Sequence, residues 1–353
     1  MSHEASHEVP NGAVTFIAVP SGAVPEPGKT LAYTNVDTIN LETIPLNGGI
    51  LVKAVIASPD PGQRAMMTPE TPESKESMYP PFSPGKPIRG FSILQVLRSE
   101  LEGVHVGDHI HAYVPLQNYV VLPNLNNGAV IESFNKDAQI PWTAWVGVLG
   151  MPGQTAWIAW QEYSKAKKGE VAFVSSAAGP VGSLVVQLAK RDGLKVIASA
   201  GSPEKLAWLE ELGADVVFNY KTENTLEVLK KEGPINVYWD NVGGETLSAA
   251  LDAAAVGARF IECGMISAFT EGFVPVPNLW MIIPKCISLN GFIVTTHYPR
   301  YLTEFYKTVP ALIASGELKY AETVYKGGFA EFDEAFIALL RGKTGNGKVV
   351  VVV

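Results

Sequence analysis

The run VAFVSSAAGPVGSLVVQLAK restricts what this chain can fold into more than any other stretch. In it Ala177-x-Gly179-x-x-Gly182 directly follows an apolar, β-branched segment and opens an amphipathic helix expected from about Val181 to Arg191. A strand, a glycine turn and a helix in that order suit a bound dinucleotide. Gly179 would let backbone approach a pyrophosphate, Gly182 would let the helix pack closely on the sheet, and the free N–H groups of the first helical turn would face the anion. Pro180 fits that turn because its missing N–H has no helical partner there. The alternative is a tight strand-to-helix turn with no ligand, and the elements expected on both sides weigh against it.

The same alternation continues on either side of this loop. Strand-like KVIASA, a helix from Pro203 to Leu212, then DVVFNY, NVYWD, ARFIECG and SLNGFIV predict a doubly wound α/β domain over residues 145–306. Ahead of it, short β-rich runs such as GGILVKAVIAS, GFSILQVLRS and DHIHAYVPLQNYVVLP predict a compact β domain. Pro59 to Pro87, rich in Pro, Ser, Glu and Met, shows neither period and is expected to be a long loop. The tail ends in a helix and the apolar run Lys348 to Val353, which could return to the first domain. The β domain would then be discontinuous, over 1–144 and 307–353. At 353 residues and 47% hydrophobic, the chain has apolar surface for two cores.

Charge and composition narrow the partners. A net charge of -8 without a Lys/Arg run argues against nucleic acid. No stretch reaches 18 apolar residues, and the start MSHEASHEVPNGAV has no apolar core of the signal-peptide kind, so no membrane association and a cytoplasmic location are expected. Cys263 and Cys286 cannot form a disulfide framework, and both are expected as small buried hydrophobes. His109 and His111 share one face of an expected strand, but a third metal ligand is not evident, so no metal site is expected.

The strand after the glycine loop ends Ala198-Ser199-Ala200-Gly201-Ser202, with no carboxylate where a dinucleotide ribose would otherwise be bonded. A 2'-phosphate would therefore meet no repulsion. Ser202 is expected as N-cap, Pro203 as the first helical residue, and Lys205 in the first turn, where the helix dipole disfavours a cation by about 0.3–1 kcal/mol. A bound phosphate would reverse that sign. On this argument alone Lys205 could equally point into water.

The run Leu149 to Lys221, LGMPGQTAW followed by GEVAFVSSAAGPVGSLVVQLAKRDGLKVIASAGSPEKLAWLEELGADVVFNYK, resembles the zinc-independent medium-chain dehydrogenases/reductases, and within them the alkenal/enone double-bond reductases. PPFSPGKPIRG and GFAEFDEAFIALLRG extend the resemblance toward both ends. It implies a Rossmann domain with a GroES-like β domain and NADP(H) as cofactor. Gly179, Pro180, Val181 and Gly182 would hold the pyrophosphate, and Ser202, Lys205 and Tyr220 the 2'-phosphate. Asn241 would lie along the ribose. Cys263, Gly264, Met265, Ile266 and Ser267, with Phe292, Ile293 and Val294, would pass the nicotinamide largely through backbone groups, and Asn346 would cap the site. Zinc relatives carry Gly-His-Glu where this chain reads Arg89-Gly90-Phe91.

The resemblance also implies the chemistry: hydride delivery to the β-carbon of an α,β-unsaturated aldehyde or ketone, without metal. Two positions depart from the pattern. Phe269 stands where those reductases commonly have a tyrosine, and Gly62 replaces a second tyrosine in Asp60-Pro61-Gly62-Gln63-Arg64, so the substrate pocket is expected to differ in size and polarity. Tyr298, His297 and Tyr79 are the replacement proton-donor candidates. A quinone oxidoreductase on the same scaffold, or an NADPH-binding module without catalysis, are the competing readings; the resemblance also allows a homodimer.

Overall fold

A computed structural model describes residues 8–77, 79–125, 128–135, 140–269, 272 and 274–353. Residues 1–7 of the N-terminal stretch read above lie outside it. The chain divides into two units, residues 1–146, 324–343 and 349–353 in one, 147–323 and 344–348 in the other.

The first unit is antiparallel. β1 (Glu8–Phe16) pairs with β2 (Leu31–Asn40), with a bulge at Asn11/Gly12. A larger sheet contains β3 (Ile50–Ala57), β4 (Arg89–Ser99), β5 (His109–Pro115), β6 (Tyr119–Leu122) and β7 (Ala129–Val130). Alternation of apolar and polar residues lets its strands bury one face, where Val52, Leu94, Ile110, Val114, Phe332 and Phe336 form the core. Within 59–87 the chain makes two short helical turns, Gly62–Ala65 and Pro72–Lys75. Arg64 holds the first by donating to the carbonyls of Ala23 and Gly22.

The second unit is a parallel sheet of β8 (Val171–Val174), β9 (Lys195–Ala200), β10 (Val216–Asn219), β11 (Ile235–Asp240), β12 (Ala254–Glu262) and β13 (Ser288–Gly291), in the order β10-β9-β8-β11-β12-β13. This is the doubly wound order, with its switch point between β8 and β11. Its central strands read as continuous apolar runs because helices cover both faces; Phe173, Ile197, Tyr238 and Phe260 are fully buried. The last segment departs from expectation: β13 stops at Gly291, and Val294–His297 forms a 3-10 turn leading into the helix Tyr298–Ala314. That helix packs on Met151–Tyr163 through Trp157, whose ring meets Tyr301 and Phe305. Residues 307–323 consequently stand with the second unit, whereas the sequence suggested a boundary at 306, in mid-helix. β14 (Glu322–Tyr325) and β15 (Lys348–Val352) close the chain, and β15 pairs with β3, returning the tail to the larger antiparallel sheet.

Among the described residues no helix is long and apolar enough to cross a membrane. One cysteine differs from expectation. Cys286 is exposed, because Ile283–Cys286 closes a tight turn in which Cys286 itself takes φ 51°. Cys263 is half-buried.

Candidate functional site

The glycine loop Ala177–Gly182 sits at the switch point. Ser176 takes φ 48°, a conformation that an L-residue adopts at a cost, and the turn is fixed by Ala177 N–H donating to Ser199 O at 2.9 Å and Gly179 N–H to Ser176 O at 3.2 Å. The helix Pro180–Arg191 then starts with Gly179 as N-cap, no side chain capping it and no acidic residue in its first turn. A Cβ at Gly182 would lie 2.7 Å from Ala177 Cα and 2.8 Å from Ser176 O, so only glycine brings the helix this close to the loop. At Gly179 the nearest protein atom to such a Cβ is 3.4 Å away; that space opens outward.

Asn346 belongs to the same place. The N–H of Gly347 donates to Ala178 O at 2.8 Å, and Asn346 Oδ1 is buried without a hydrogen-bond partner among the described residues. An uncapped helix start with no carboxylate and an orphaned amide oxygen beside it fit a polar, anionic ligand whose hydroxyls can donate.

Beyond β9, Ser202 Oγ caps the helix Pro203–Glu211 by accepting from Lys205 N–H at 3.4 Å. Lys205 is half-buried, and its ammonium is held below the ordinary lysine range by burial first and by the charge of Lys221 second, with Glu204 opposing. Lys221 Nζ stands 5.8 Å from the centroid of the Tyr220 ring, which is 52% exposed. Lys221 was not singled out by sequence reasoning; its partner Lys205 lies on another element, and only the fold brings them together.

The turn after β11 rests on a polar hub. Asp240 Oδ1 accepts from Val242 N–H at 2.7 Å and Gly243 N–H at 2.8 Å, and lies 3.2 Å from Ser175 Oγ. Asn241 Nδ2 donates to Ser175 O at 2.7 Å, while its Oδ1 accepts from the Trp239 indole at 3.2 Å, so its side chain ties the floor of the site together. The β12 exit is stitched to this turn: Cys263 and Gly264 N–H donate to Asp240 O, Ile266 N–H to Asn241 O and Ser267 N–H to Val242 O. These four donors are committed inside the unit, which narrows the backbone groups that Cys263 to Ser267 can offer a nicotinamide. Burial pushes the Cys263 thiol up to about 12, with Asp240's charge adding to it, so the thiol stays protonated at neutral pH.

Glu262 pairs in register with Asp240 on the neighbouring strand. Burial, then Asp240's charge, raises its carboxyl to about 9; burial likewise pushes Asp240 up. The pair was invisible in the sequence because its members are distant along the chain and meet only through parallel register.

The donor candidates fall in separate units. In the second, Tyr298 donates to Gln154 Oε1 at 2.5 Å, and Gln154 Nε2 donates to Tyr306 at 2.9 Å; the phenol links two packed helices. His297 Nε2 is 3.0 Å from Tyr163 Oη, and Phe292 packs against Tyr163, Trp239 and His297. Phe269, in the 3-10 turn Ile266–Phe269, is half-buried. In the first unit, Tyr79 is 47% exposed and Gly62 lies exposed at the start of its helical turn. Tyr113, overlooked in the sequence, has Arg89 over its ring at 5.4 Å and Phe91 edge-on at 5.2 Å; its hydroxyl reaches Met66 Sδ at 3.7 Å, and burial raises it to about 12. It is a phenol that keeps its proton. His109 is 2.9 Å from Glu132 and stacks on Trp142, and His111 is buried against Phe91, so both histidines are packing residues. Among the described residues no group of three or more His, Cys, Asp and Glu is placed to hold a metal ion.

A doubly wound sheet with a glycine loop at its switch point is the architecture of dinucleotide-binding domains. Comparison with known proteins specifies it. Residues 180–313 match the family described as "Zinc-binding dehydrogenase" and residues 30–130 the "N-terminal domain of oxidoreductase". The chain is 39% identical over 315 residues to the NADP-dependent oxidoreductase RED1 of Cochliobolus heterostrophus, covering 85% of this chain and 86% of that protein. It is 35% identical to the 2-alkenal reductase (NADP(+)-dependent) of Nicotiana tabacum, covering 89% and 90%. The crystal structure of CurA from Vibrio vulnificus in complex with NADPH superposes with a TM-score of 0.84 at 28% identity, over 97% of this chain and 99% of that one. The chain belongs to the medium-chain dehydrogenase/reductase family, and within it is similar to NADP-dependent alkenal/enone reductases.

Proposed function

We propose that this protein reduces the C=C bond of α,β-unsaturated aldehydes or ketones with NADPH and without a metal. The observation that carries the substrate class is the likeness to a 2-alkenal reductase over nine-tenths of the chain. When bound, NADPH supplies the hydride that adds to the β-carbon.

The chain's own residues bind, orient and hold protons. Gly179 to Gly182 and the helix start take the pyrophosphate, Asn346 Oδ1 accepts from the cofactor, and Lys205, Ser202 and Tyr220 surround the 2'-phosphate. Asn241 and the segments Cys263 to Ser267 and Phe292 to Val294 form the floor for the nicotinamide. With Phe269 in place of a phenol, the second unit offers the hydroxyl of Tyr298 and the imidazole of His297 as groups to assist the carbonyl oxygen, and the first unit offers the hydroxyls of Tyr79 and Tyr113; in the structure Tyr298 donates to Gln154 Oε1 and Tyr113 reaches Met66 Sδ. Neither Gly62 in the first unit nor Phe269 in the second supplies the hydroxyl that a tyrosine would bring. A cytoplasmic location is part of this reading.

The test compares initial rates of NADPH oxidation on a 2-alkenal, the matching saturated aldehyde and a benzoquinone, with the product identified by mass. Turnover of the alkenal alone, giving the saturated aldehyde and persisting after dialysis against a chelator, is expected. Preference for the quinone would replace this reading by a quinone oxidoreductase, and tight NADPH binding without turnover by a silent module. The homodimer has one support, the open edge of the parallel sheet: β13 is its last strand, and beside it Trp280 is 64% and Ile283 80% exposed. Light scattering at micromolar concentration reads it directly, and a monomer mass would remove it.

A further inference from the structure

We propose that Lys221 is a second cation of the 2'-phosphate site and sets the preference for a phosphorylated cofactor together with Lys205. The inference rests on the cofactor reading above and adds a residue to it. Three features place Lys221 there. A Cβ built on Gly201 would lie 2.9 Å from Lys221 Cε and 3.1 Å from its Nζ, so the ammonium lies over the backbone just ahead of Ser202. The same Cβ would lie 3.1 Å from Tyr220 Cε1, so the side chains of Tyr220 and Lys221 both lie against Gly201 at the end of β9. Lys221's charge also acts on Lys205, across the N-cap of the helix Pro203–Glu211.

Two ammonium groups brought together, one of them half-buried at a helix N-terminus, repel each other and the helix dipole. Glu204 is the carboxylate that acts on Lys205, and it ranks below burial and Lys221. Lys221's own backbone N–H donates to Asn219 Oδ1 at 3.1 Å, which fixes the turn and leaves the side chain at the rim. Two ammonium groups held at this place suit a dianion, and a phosphomonoester on a ribose is the dianion that a dinucleotide brings to this end of the sheet. Sequence alone leaves Lys221 as one exposed lysine among many.

The experiment titrates wild type, Lys205→Ala and Lys221→Ala with 2',5'-ADP and 5'-AMP, and with NADPH and NADH, by calorimetry at low and moderate salt. Lys221→Ala is expected to weaken 2',5'-ADP and NADPH about tenfold while moving 5'-AMP and NADH less than twofold, and to flatten the salt dependence. In the ligand-free protein the same substitution should raise the pKa of Lys205, read by NMR of reductively methylated lysines. Lys221→Arg should retain the selectivity. If Lys205→Ala discriminates between phosphorylated and unphosphorylated ligands but Lys221→Ala does not, the role given to Lys221 is wrong and the cofactor reading stands. If neither substitution discriminates, the 2'-phosphate assignment fails, and the role of Lys221 with it.

Discussion

Replacing Gly182 by alanine is expected to cost both stability and cofactor affinity, while Gly179→Ala costs affinity alone. At Gly182 the added methyl meets backbone of Ser176 and Ala177 closer than 3 Å, and backbone cannot step aside as a flexible side chain can. Loop and helix must separate. Overpacking of this kind is worth about 1–3 kcal/mol, so the melting temperature of the ligand-free protein should fall by several degrees. The same displacement moves the first-turn N–H groups away from the pyrophosphate, and NADPH should bind at least roughly tenfold more weakly. At Gly179 the nearest protein atom is 3.4 Å from the added carbon, and the N-cap φ of -74° suits alanine. The methyl would project instead into the space through which backbone approaches the ligand. Melting curves and NADPH titrations of the two variants separate the roles, and a Gly179→Ala protein with full affinity would remove the pyrophosphate from this loop.

The contrast between these glycines shows what could be read from the sequence. The strand, the turn and the helix were legible because each leaves a local signature: an apolar run, glycines at fixed offsets, then an amphipathic period beginning at a proline. The cap at Ser202 was legible for the same reason. The rest depends on register. Asp240 meets Glu262 only because β11 and β12 lie parallel with those residues side by side, and Lys205 meets Lys221 only because β10 lies beside β9. Tyr298 read as a proton-donor candidate because nothing local shows that Gln154, on a distant helix, takes its hydrogen bond. Cys286, in an apolar run, read as buried, yet a tight turn carries it to the surface.

Glu262→Gln is expected to stabilise the protein, and increasingly so as pH rises. Glu262 is the carboxyl whose burial beside Asp240 raises it to about 9, and when protonated its side chain hydrogen-bonds that of Asp240. Around it are Tyr238, which donates to Ser175 Oγ, and Asp240, both on β11, and Cys263 with its protonated thiol, the residue that follows β12. None of these is a cation. In the unfolded chain Glu262 loses its proton near the ordinary carboxylate value of about 4.3. Between that value and about 9 the folded state holds a proton that the unfolded state has released, so the unfolding free energy falls with rising pH. The penalty is absent below the lower value and complete above the upper one. Each tenfold change in proton affinity corresponds to about 1.4 kcal/mol. Glutamine keeps the shape and never ionises, so it should leave stability unchanged near pH 4 and raise it by on the order of 1–3 kcal/mol at pH 8.5, read as a widening gap between the two melting curves. Curves that stay parallel from pH 5 to 9 would mean that Glu262 titrates as an ordinary carboxylate and that solvent or a cation reaches it in the folded protein.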